Sequence, residues 1–203
     1  MLKHRVISIT RRLAGLLPPK LCLQAVAWID CFVGWVEPEN VYVPPLVPKD
    51  RRRVAVDVGA NNGVTTSIMA GLFAKVHAFE ANPRLAGLLK AAAPGNVEVH
   101  DMALSSKAGK AVLTVPISAG VTLEGWASVE APLLAQFEQL NQIHVETRTL
   151  DSFALSEVDL LKIDVEGHEM AVLAGAAETI RRCLPWLIIE ALGEHQDRVR
   201  DLV

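Results

Sequence analysis

The sequence predicts an α/β fold in which helices cover both faces of a doubly wound, mostly parallel sheet. Short runs of β-branched and aromatic residues alternate with longer segments of helical spacing along most of the chain. Four of the predicted strands end on an acidic residue or are followed by one, and a glycine-rich turn follows the first strand. With 203 residues, of which 51% are hydrophobic, the chain can bury one full core.

The glycine-rich turn joins the first predicted strand of the sheet to a predicted helix. Val54-Ala-Val-Asp-Val58 alternates as a strand does, Gly59 and Gly63 bracket the turn, and residues 64–73 have helical spacing. Glycine permits positive φ and close approach of a ligand, and the helix N-terminus offers unpaired N–H groups. The spacing fails the dinucleotide fingerprint Gly-x-Gly-x-x-Gly but resembles the Asp-x-Gly-x-x-x-Gly cofactor loop of S-adenosylmethionine-dependent methyltransferases. A purely structural turn is the alternative.

Further strands and helices follow this first unit in alternation. Residues 75–80 form the second predicted strand, after which Asn82 as cap and Pro83 as first residue predict a helix that ends at Pro94 and Gly95. The remaining predicted strands are residues 97–100, 110–115, 143–150, 158–164 and 186–190, and further helices are predicted at 132–142 and 169–182.

Residues 1–50 are predicted to form an N-terminal helical extension with a proline-rich linker, ahead of the main domain at residues 51–203. The extension begins with basic residues and no acid, through Lys3, Arg5, Arg11, Arg12 and Lys20. Asp30 interrupts the apolar run that follows, and there is no small-residue cleavage site, so neither a membrane span nor a signal peptide is predicted. The prolines of residues 43–48 exclude a helix and indicate the linker.

Two interpretations of the basic N-terminal segment stay open. Either its helices pack on the outside of the domain with a solvated basic face, or residues 1–36 touch an anionic membrane surface as a basic amphipathic segment. The whole chain has a net charge of −3, which gives a nucleic-acid partner no electrostatic support. Cys22, Cys31 and Cys183 lack CxxC spacing, which predicts reduced thiols and a cytoplasmic location, with any membrane contact on the inner surface.

Acidic residues mark the carboxyl ends of the predicted strands, where an open α/β sheet binds its ligands. These residues are Asp57, Glu80, Asp101 and Asp164. Glu80 follows the glycine turn by about twenty residues, the spacing at which an acid at the tip of the second strand accepts hydrogen bonds from both ribose hydroxyls. A solvated acid at a strand end is the alternative interpretation of Glu80.

A second cluster of charged residues, Asp164-Val-Glu-Gly-His-Glu169, follows an apolar strand. Charges this dense at a strand end are costly unless they are solvated or used. Asp164, Glu166 and His168 are predicted to position a substrate hydroxyl and take its proton, as a general base near neutral pH must do. Capping of the following helix is the alternative for His168 and Glu169, and it is the preferred interpretation of Glu169.

The sequence assigns no metal ligand. Asp164, Glu166 and Glu190 could meet at neighbouring strand ends as an oxygen-rich Mg²⁺ site, but spacing alone does not establish that they converge. Trp126, in Glu124-Gly-Trp-Ala-Ser128, either stacks on a sugar ring or fills a surface groove.

Several short blocks together resemble the FkbM-type S-adenosylmethionine-dependent methyltransferases over roughly residues 53–192. The block from Asp164 to Glu169 is the most specific of them. The others are the glycine-turn block, His77-Ala-Phe-Glu-Ala-Asn-Pro83, Thr149-Leu-Asp-Ser152 and Leu187-Ile-Ile-Glu190. The resemblance implies a Rossmann-like fold of the class I methyltransferase type, S-adenosylmethionine as cofactor, and O-methylation of a hydroxyl on a sugar, glycan or polyketide-like small molecule.

The resemblance also implies a role for each matching position. The residues that it places around the methionine part of the cofactor are Asp57, Gly59, Asn61 and Gly63. Glu80 then binds the ribose, Asp164 lies beside the reacting methyl, and the residues by the adenine are Asp101, Met102 and Ala103.

The C-terminus departs from the family pattern. Members normally continue past the Ile-Ile-Glu strand with a further helix and a closing pair of strands, whereas this chain stops at Val203. The expected consequence is an exposed apolar edge at residues 186–190, so that either another chain covers this edge in a homo-oligomer or the chain is a shortened, inactive member. A cofactor-binding pseudoenzyme without turnover is the alternative function, and the missing fingerprint disfavours a NAD-dependent oxidoreductase.

Overall fold

The computed structural model describes residues 37–118, 121–130 and 137–191, together with residues 17, 18 and 21. The basic segment at residues 1–20 and the apolar run after it lie almost entirely outside this part of the chain, as do Cys22, Cys31 and residues 192–203. The predictions made for them therefore stay predictions. Among the described helices, none is long and apolar enough to cross a membrane.

Strands and short helices alternate along the described residues. The strands are β1 (Val54–Val58), β2 (Lys75–Glu80), β3 (Val97–Asp101), β4 (Ala103–Leu104), β5 (Gly109–Ser118), β6 (Val121–Thr122), β7 (Gln139–Arg148), β8 (Leu160–Ile163) and β9 (Trp186–Ile189). The helices are α1 (Pro38–Tyr42), α2 (Val64–Ala70), α3 (Pro83–Ala92), α4 (Glu169–Gly175) and α5 (Ala177–Cys183).

Five parallel strands form the main sheet of the described residues, in the order β3-β2-β1-β8-β9. The chain builds outward from β1 through β2 to β3, then crosses over to add β8 and β9 on the other side of β1. The strand order therefore reverses between β1 and β8, and ligands of such sheets bind at that point. The predicted α/β fold with a doubly wound parallel sheet is confirmed.

Apolar side chains cover the main sheet on both faces, because its central strands are buried on both sides. On one face, Val58 and Ile163 lie in a cluster with Val172 of α4. On the other face, Ala55 lies in a cluster with Met69 of α2. Helix packing on both faces holds the carboxyl ends of the strands at a common edge.

A second sheet, in the order β4-β7-β5-β6, was not predicted. Its main pair is the antiparallel ladder of β5 and β7, in which Gly109 lies opposite Thr147 and Ile117 opposite Gln139. The helix predicted at residues 132–142 is therefore wrong where β7 occupies residues 139–142, and residues 131–136 lie outside the described part. Pairing with β5 overrides the local helical spacing, since strand preference depends mainly on cross-strand partners.

The single helix predicted at residues 169–182 is wrong, because it divides into α4 and α5 at Ala176. The close approach of another backbone ends α4: a Cβ on Gly175 would lie 2.1 Å from the Ser105 carbonyl oxygen. A separate carboxylate then begins α5, since Asp151 accepts hydrogen bonds from the N–H groups of Glu178 and Thr179 at 3.1 and 2.8 Å. Both causes are tertiary contacts that helical periodicity does not reveal.

The start of α3 confirms the predicted cap. Asn82 precedes Pro83, and its side-chain oxygen accepts a hydrogen bond from the Arg84 N–H at 3.1 Å. The prediction that prolines exclude a helix from residues 43–48 is wrong for Pro44–Leu46, which form a 3₁₀ helix, because proline is tolerated in the first turn. Val47 after it is fully buried in the core. This segment therefore packs on the domain instead of only joining it.

Strand β9 lies at the edge of the main sheet in the described residues, and Trp186 at its start is 40% exposed. Self-association through residues 186–190 stays a prediction.

Candidate functional site

The loop after β1, residues 59–63 (the glycine loop), has an unusual backbone that glycine makes accessible. Gly59 and Gly63 have φ of 80° and 79°, and Asn61 between them has φ of 49°. A Cβ on Gly59 would lie 1.8 Å from the Asp164 carbonyl oxygen, and a Cβ on Gly63 would lie 2.3 Å from a Leu89 methyl carbon. Both glycines are therefore required by contacts within the protein as well as by positive φ.

The Lys162 side chain extends from β8 to the glycine loop and contacts two carboxylates. Its ammonium lies 2.9 Å from Asp164 Oδ2 and 3.4 Å from Asp57 Oδ1, and donates a hydrogen bond to the Gly59 carbonyl at 3.1 Å. Burial opposes its positive charge, but the two carboxylates outweigh burial and raise the pKa of Lys162 above its ordinary value. Lys162 thus fixes the relative position of the β1 and β8 tips.

Asp57, to which the resemblance gives a role at the methionine part, is completely buried at the end of β1. Its Oδ2 accepts a hydrogen bond from the Thr66 hydroxyl at 2.6 Å, and its Oδ1 faces Lys162. Asp57 therefore supports the glycine loop indirectly, through its contacts with Thr66 of α2 and with Lys162.

Glu80, at the tip of β2, ties the glycine loop to the start of α3. Its two carboxylate oxygens accept hydrogen bonds from the N–H groups of Asn61 at 2.6 Å and Asn82 at 2.8 Å. Burial raises the pKa of Glu80 to about 7, against the lowering effect of these two bonds. Asp101 lies directly beside Glu80 at the tip of β3.

The residues that the resemblance assigns to the adenine continue along this edge. Asp101 is exposed, Met102 packs against the apolar cluster of the main sheet, and Ala103 packs against that of the second sheet. These residues therefore lie where the chain passes from the main sheet to the second sheet.

The loop after β8, residues 164–168, carries the three residues predicted to be catalytic. Glu166 and Gly167 have φ of 49° and 96°, and such backbone in a non-glycine residue is uncommon. Burial, together with the charges of Asp164 and Glu169, raises the pKa of Glu166 to about 7. This pKa lies in the range that a general base near neutral pH requires.

Asp164 also belongs to a group of acidic side chains that sequence spacing could not establish. Ligand atoms of Glu37, Asp164 and Glu190 lie within 4.8 Å of one another, with Glu37 contributed from just before α1. Burial and the charges of Asp164 and Glu37 raise the pKa of Glu190 to about 8. The Mg²⁺ site considered from the sequence therefore stays an alternative, with Glu37 rather than Glu166 as the third carboxylate of the group.

His168 is bonded through both ring nitrogens. Nδ1 lies 2.7 Å from Glu130 Oε1, and Nε2 lies 2.9 Å from the Ser105 hydroxyl oxygen. His168 precedes α4 without a side-chain cap bond, and Glu169 accepts a hydrogen bond from the Gly167 N–H at 2.7 Å. Both ring nitrogens of His168 thus have partners within the protein, and its predicted part in proton transfer stays a prediction. Glu169 lies in the first turn of α4, where the sequence places it as a helix-start residue.

Residues 123–130 (the cap loop) reach from the second sheet across the carboxyl ends of β1 and β8. A Cβ on Gly125 would lie 3.6 Å from the Asn61 side-chain nitrogen, and the Ser128 hydroxyl donates a hydrogen bond to the Glu166 carbonyl at 2.6 Å. Trp126 in the same loop is 53% exposed. The cap loop thus bridges the glycine loop and residues 164–168.

The sequence matches the family described as Methyltransferase FkbM domain over residues 57–203. This chain belongs to the FkbM methyltransferase family. The resemblance found in the sequence blocks is therefore confirmed.

A solved structure supports the fold of this FkbM-family chain. The crystal structure of the methyltransferase FkbM from Methylobacillus flagellatus KT matches it with a TM-score of 0.51 and 17% identity. The match covers 92% of this chain and 48% of that protein, so this chain spans about half the length of its structural neighbour. No curated protein matches the sequence.

Sequence reasoning missed several residues that hold the candidate site of this family member together. They are Glu37, Ser105, Ser128, Glu130 and Lys162. Only Lys162 left a local signal, because it is a single charged residue within the fully buried strand β8. The others come from distant segments that only the tertiary fold brings to residues 164–168.

Proposed function

We propose that this protein is an S-adenosylmethionine-dependent methyltransferase that acts on a hydroxyl of a sugar, glycan or polyketide-like small molecule. Membership of the FkbM family supports methyl transfer. The convergence of Glu80, the glycine loop and Asp164 at one edge of the main sheet carries the assignment of cofactor and reaction. This edge includes the switch point between β1 and β8, where open α/β sheets bind their ligands.

The residues at this edge fit the cofactor. We assign Glu80 to the ribose hydroxyls, since each of its oxygens accepts one backbone N–H and a carboxylate has about four acceptor positions. The glycine loop would contact the methionine part, and residues 101–103 the adenine. When bound, S-adenosylmethionine would supply an electrophilic methyl on its sulfonium: a hydroxyl oxygen attacks this carbon in line as the carbon–sulfur bond breaks, and the sulfur leaves as a neutral thioether.

Asp164 is the residue that we assign to the orientation of the acceptor hydroxyl. Lys162 holds its Oδ2 at 2.9 Å and thereby fixes the carboxylate, so that Oδ1 is the oxygen assigned to the acceptor. A fixed acceptor of hydrogen bonds favours one attack direction, and holding two reactants in such alignment lowers the barrier of a bimolecular step.

Glu166 is the residue that we assign to proton removal. Its pKa of about 7 matches the requirement that a general base be deprotonated and still basic at neutral pH. As the new carbon–oxygen bond forms, the hydroxyl proton passes to the Glu166 carboxylate, which becomes neutral. The Ser128 hydroxyl holds the backbone of Glu166 through its carbonyl at 2.6 Å.

A methyl-transfer assay over a panel of hydroxylated sugars and polyketide-like alcohols tests this proposal. Asp164→Asn and Glu166→Gln are expected to lower turnover by about 10²- to 10⁴-fold while cofactor affinity changes little. Glu157→Gln, an exposed carboxylate paired with Arg53, is the control and should leave turnover unchanged. Full rates in both site variants would contradict the assigned roles.

Cofactor binding without turnover across the panel would favour the pseudoenzyme alternative. Calorimetry with NAD tests the NAD-dependent oxidoreductase alternative, because binding of NAD in place of S-adenosylmethionine would identify an oxidoreductase-type site.

A further inference from the structure

Three side chains with metal-ligating atoms lie together on β2 and β3, apart from the residues assigned to methyl transfer. His77 is paired with Glu98 in the register of the two parallel strands, and His100 follows two residues later. Side chains two residues apart share one face of a sheet, so all three project from the same face.

The distances between these groups are those of a metal site. His77 Nδ1 lies 3.1 Å from His100 Nε2, and each of these nitrogens lies 3.8 Å from an oxygen of Glu98. One ligand atom from each residue can be chosen so that all three lie within 4.8 Å of one another. Tetrahedral Zn²⁺ with bonds of about 2.0 to 2.2 Å separates its ligand atoms by about 3.3 to 3.6 Å.

The surroundings hold the two imidazoles in place. The Phe79 ring stacks on His100 with 4.4 Å between ring centroids, and Phe153 meets His100 edge-on at 5.0 Å. His77 is buried, His100 is partly buried, and their ring nitrogens Nδ1 and Nε2 face each other. The Glu98 side chain is 51% exposed and has room to turn towards a bound ion.

We infer that His77, Glu98 and His100 form a binding site for a divalent transition metal of the Zn²⁺ class. Two imidazoles and one carboxylate are a donor set that Zn²⁺ takes in proteins, and a fourth position would stay open to water. The ion would join the edge strand β3 to β2 through side chains. This site is independent of the methyltransferase assignment, because none of its residues has a role in that reaction.

Lys75 is the group that competes with the metal. Its ammonium lies 2.8 Å from Glu98 Oε2, and together with the hydrogen bond between the two imidazoles it satisfies these groups when no ion is bound. Removing the Lys75 charge should therefore strengthen metal binding. If these groups form only an ion pair and a hydrogen bond, and no metal site, the same change would leave the affinity for the metal unchanged.

Titration of the metal-stripped full chain with Zn²⁺, followed by calorimetry, and with Co²⁺, followed by visible absorption, tests the inference. We expect one equivalent to bind, with a Co²⁺ spectrum of low coordination number. His100→Gln and Glu98→Gln should each weaken binding by about tenfold or more, and Lys75→Met should tighten it. Glu98 is exposed, so its variant stays informative if a histidine variant fails to fold.

His144→Gln provides the matched control, because His144 is an exposed histidine on β7. It should bind Zn²⁺ as the parent chain does. Absence of stoichiometric binding in the parent would overturn the inference, as would binding that survives both His100→Gln and Glu98→Gln unchanged.

Discussion

Glu80 is the residue on which both cofactor recognition and the local fold depend. Glu80→Ala is expected to weaken S-adenosylmethionine binding by about 1.5 to 3 kcal/mol, the usual scale for hydrogen bonds to a charged group. The same change should lower the free energy of unfolding, because it removes the acceptor of the Asn61 and Asn82 N–H groups. Calorimetry and urea unfolding measure the two effects. Equal affinity of the parent chain for the cofactor and its 2′,3′-dideoxy analogue would show that Glu80 makes no ribose contact.

The raised pKa of Glu190 predicts how the stability of the folded chain depends on pH. Its pKa is raised from 4.5 to about 8 in the folded chain, so the folded state binds more protons than the unfolded state between these values. The contribution of the protonated Glu190 to the free energy of unfolding is therefore complete below pH 4.5, and it is lost as the pH rises through about 8. Glu190→Gln should raise the melting temperature more at high pH than at about pH 5.

The exposed carboxylate of Glu146 on β7 provides the control for this pH effect. Glu146→Gln should change the melting temperature little at either pH. A Glu190→Gln effect that is the same at both pH values would show that crowding of carboxylates around Asp164 does not limit stability.

Two glycines in different backbone conformations, Gly59 in the glycine loop and Gly87 in α3, should respond oppositely to substitution by alanine. Gly59→Ala should lower the free energy of unfolding by more than about 2 kcal/mol, because positive φ and the Asp164 carbonyl leave no room for a Cβ. Gly87→Ala, within α3 and with no atom of the described residues within 4 Å of the added carbon, should raise it by about 0.5 to 1 kcal/mol. Urea unfolding measures both. A neutral Gly59→Ala would contradict the tight contact between the β1 and β8 tips.

At the scale of elements, the cap loop joins the second sheet to the edge of the main sheet. Arg84 at the start of α3 holds this loop through a two-bond ion pair with Glu124. Because Ser128 of this loop bonds to the backbone of Glu166, the residue that we assign to the acceptor proton, Arg84→Met should raise KM for the acceptor more than it weakens cofactor binding. Steady-state kinetics with the best acceptor of the panel, together with calorimetry, make this comparison.

Arg181→Met is the matched control, since Arg181 forms an exposed ion pair with Glu178 on α5, away from the loop. Arg181→Met should leave both the acceptor KM and the cofactor affinity unchanged. An equal loss of cofactor affinity and acceptor KM in Arg84→Met would mean that the cap loop shapes the cofactor site rather than the acceptor site.

For the whole molecule, local sequence patterns predicted the main sheet because each of its strands carries its own signals. Alternation up to Asp57, an acid at Glu80, and the Asn82 cap are all short-range features, and the structure confirms the strands and the helix start that they indicate. The same locality explains why the edge that carries the candidate site was predicted from the strand ends.

The second sheet and the divided helix depended on contacts between distant segments. Strand β7 pairs with β5 across more than twenty intervening residues, and α4 ends where Gly175 meets Ser105. No window of sequence contains both partners of either contact. Tertiary folding also brings Glu37, Ser128 and Glu130 to the site, so spacing within residues 160–169 could not predict them.

Calorimetric titration of the parent chain with S-adenosylmethionine, beside S-adenosylhomocysteine and NAD, tests the central claim most directly. We predict one site that binds both S-adenosyl compounds and is weakened by Glu80→Ala, with no binding of NAD. Absence of S-adenosylmethionine binding by the folded chain, or preference for NAD, would contradict the assignment of the glycine loop and Glu80 to this cofactor.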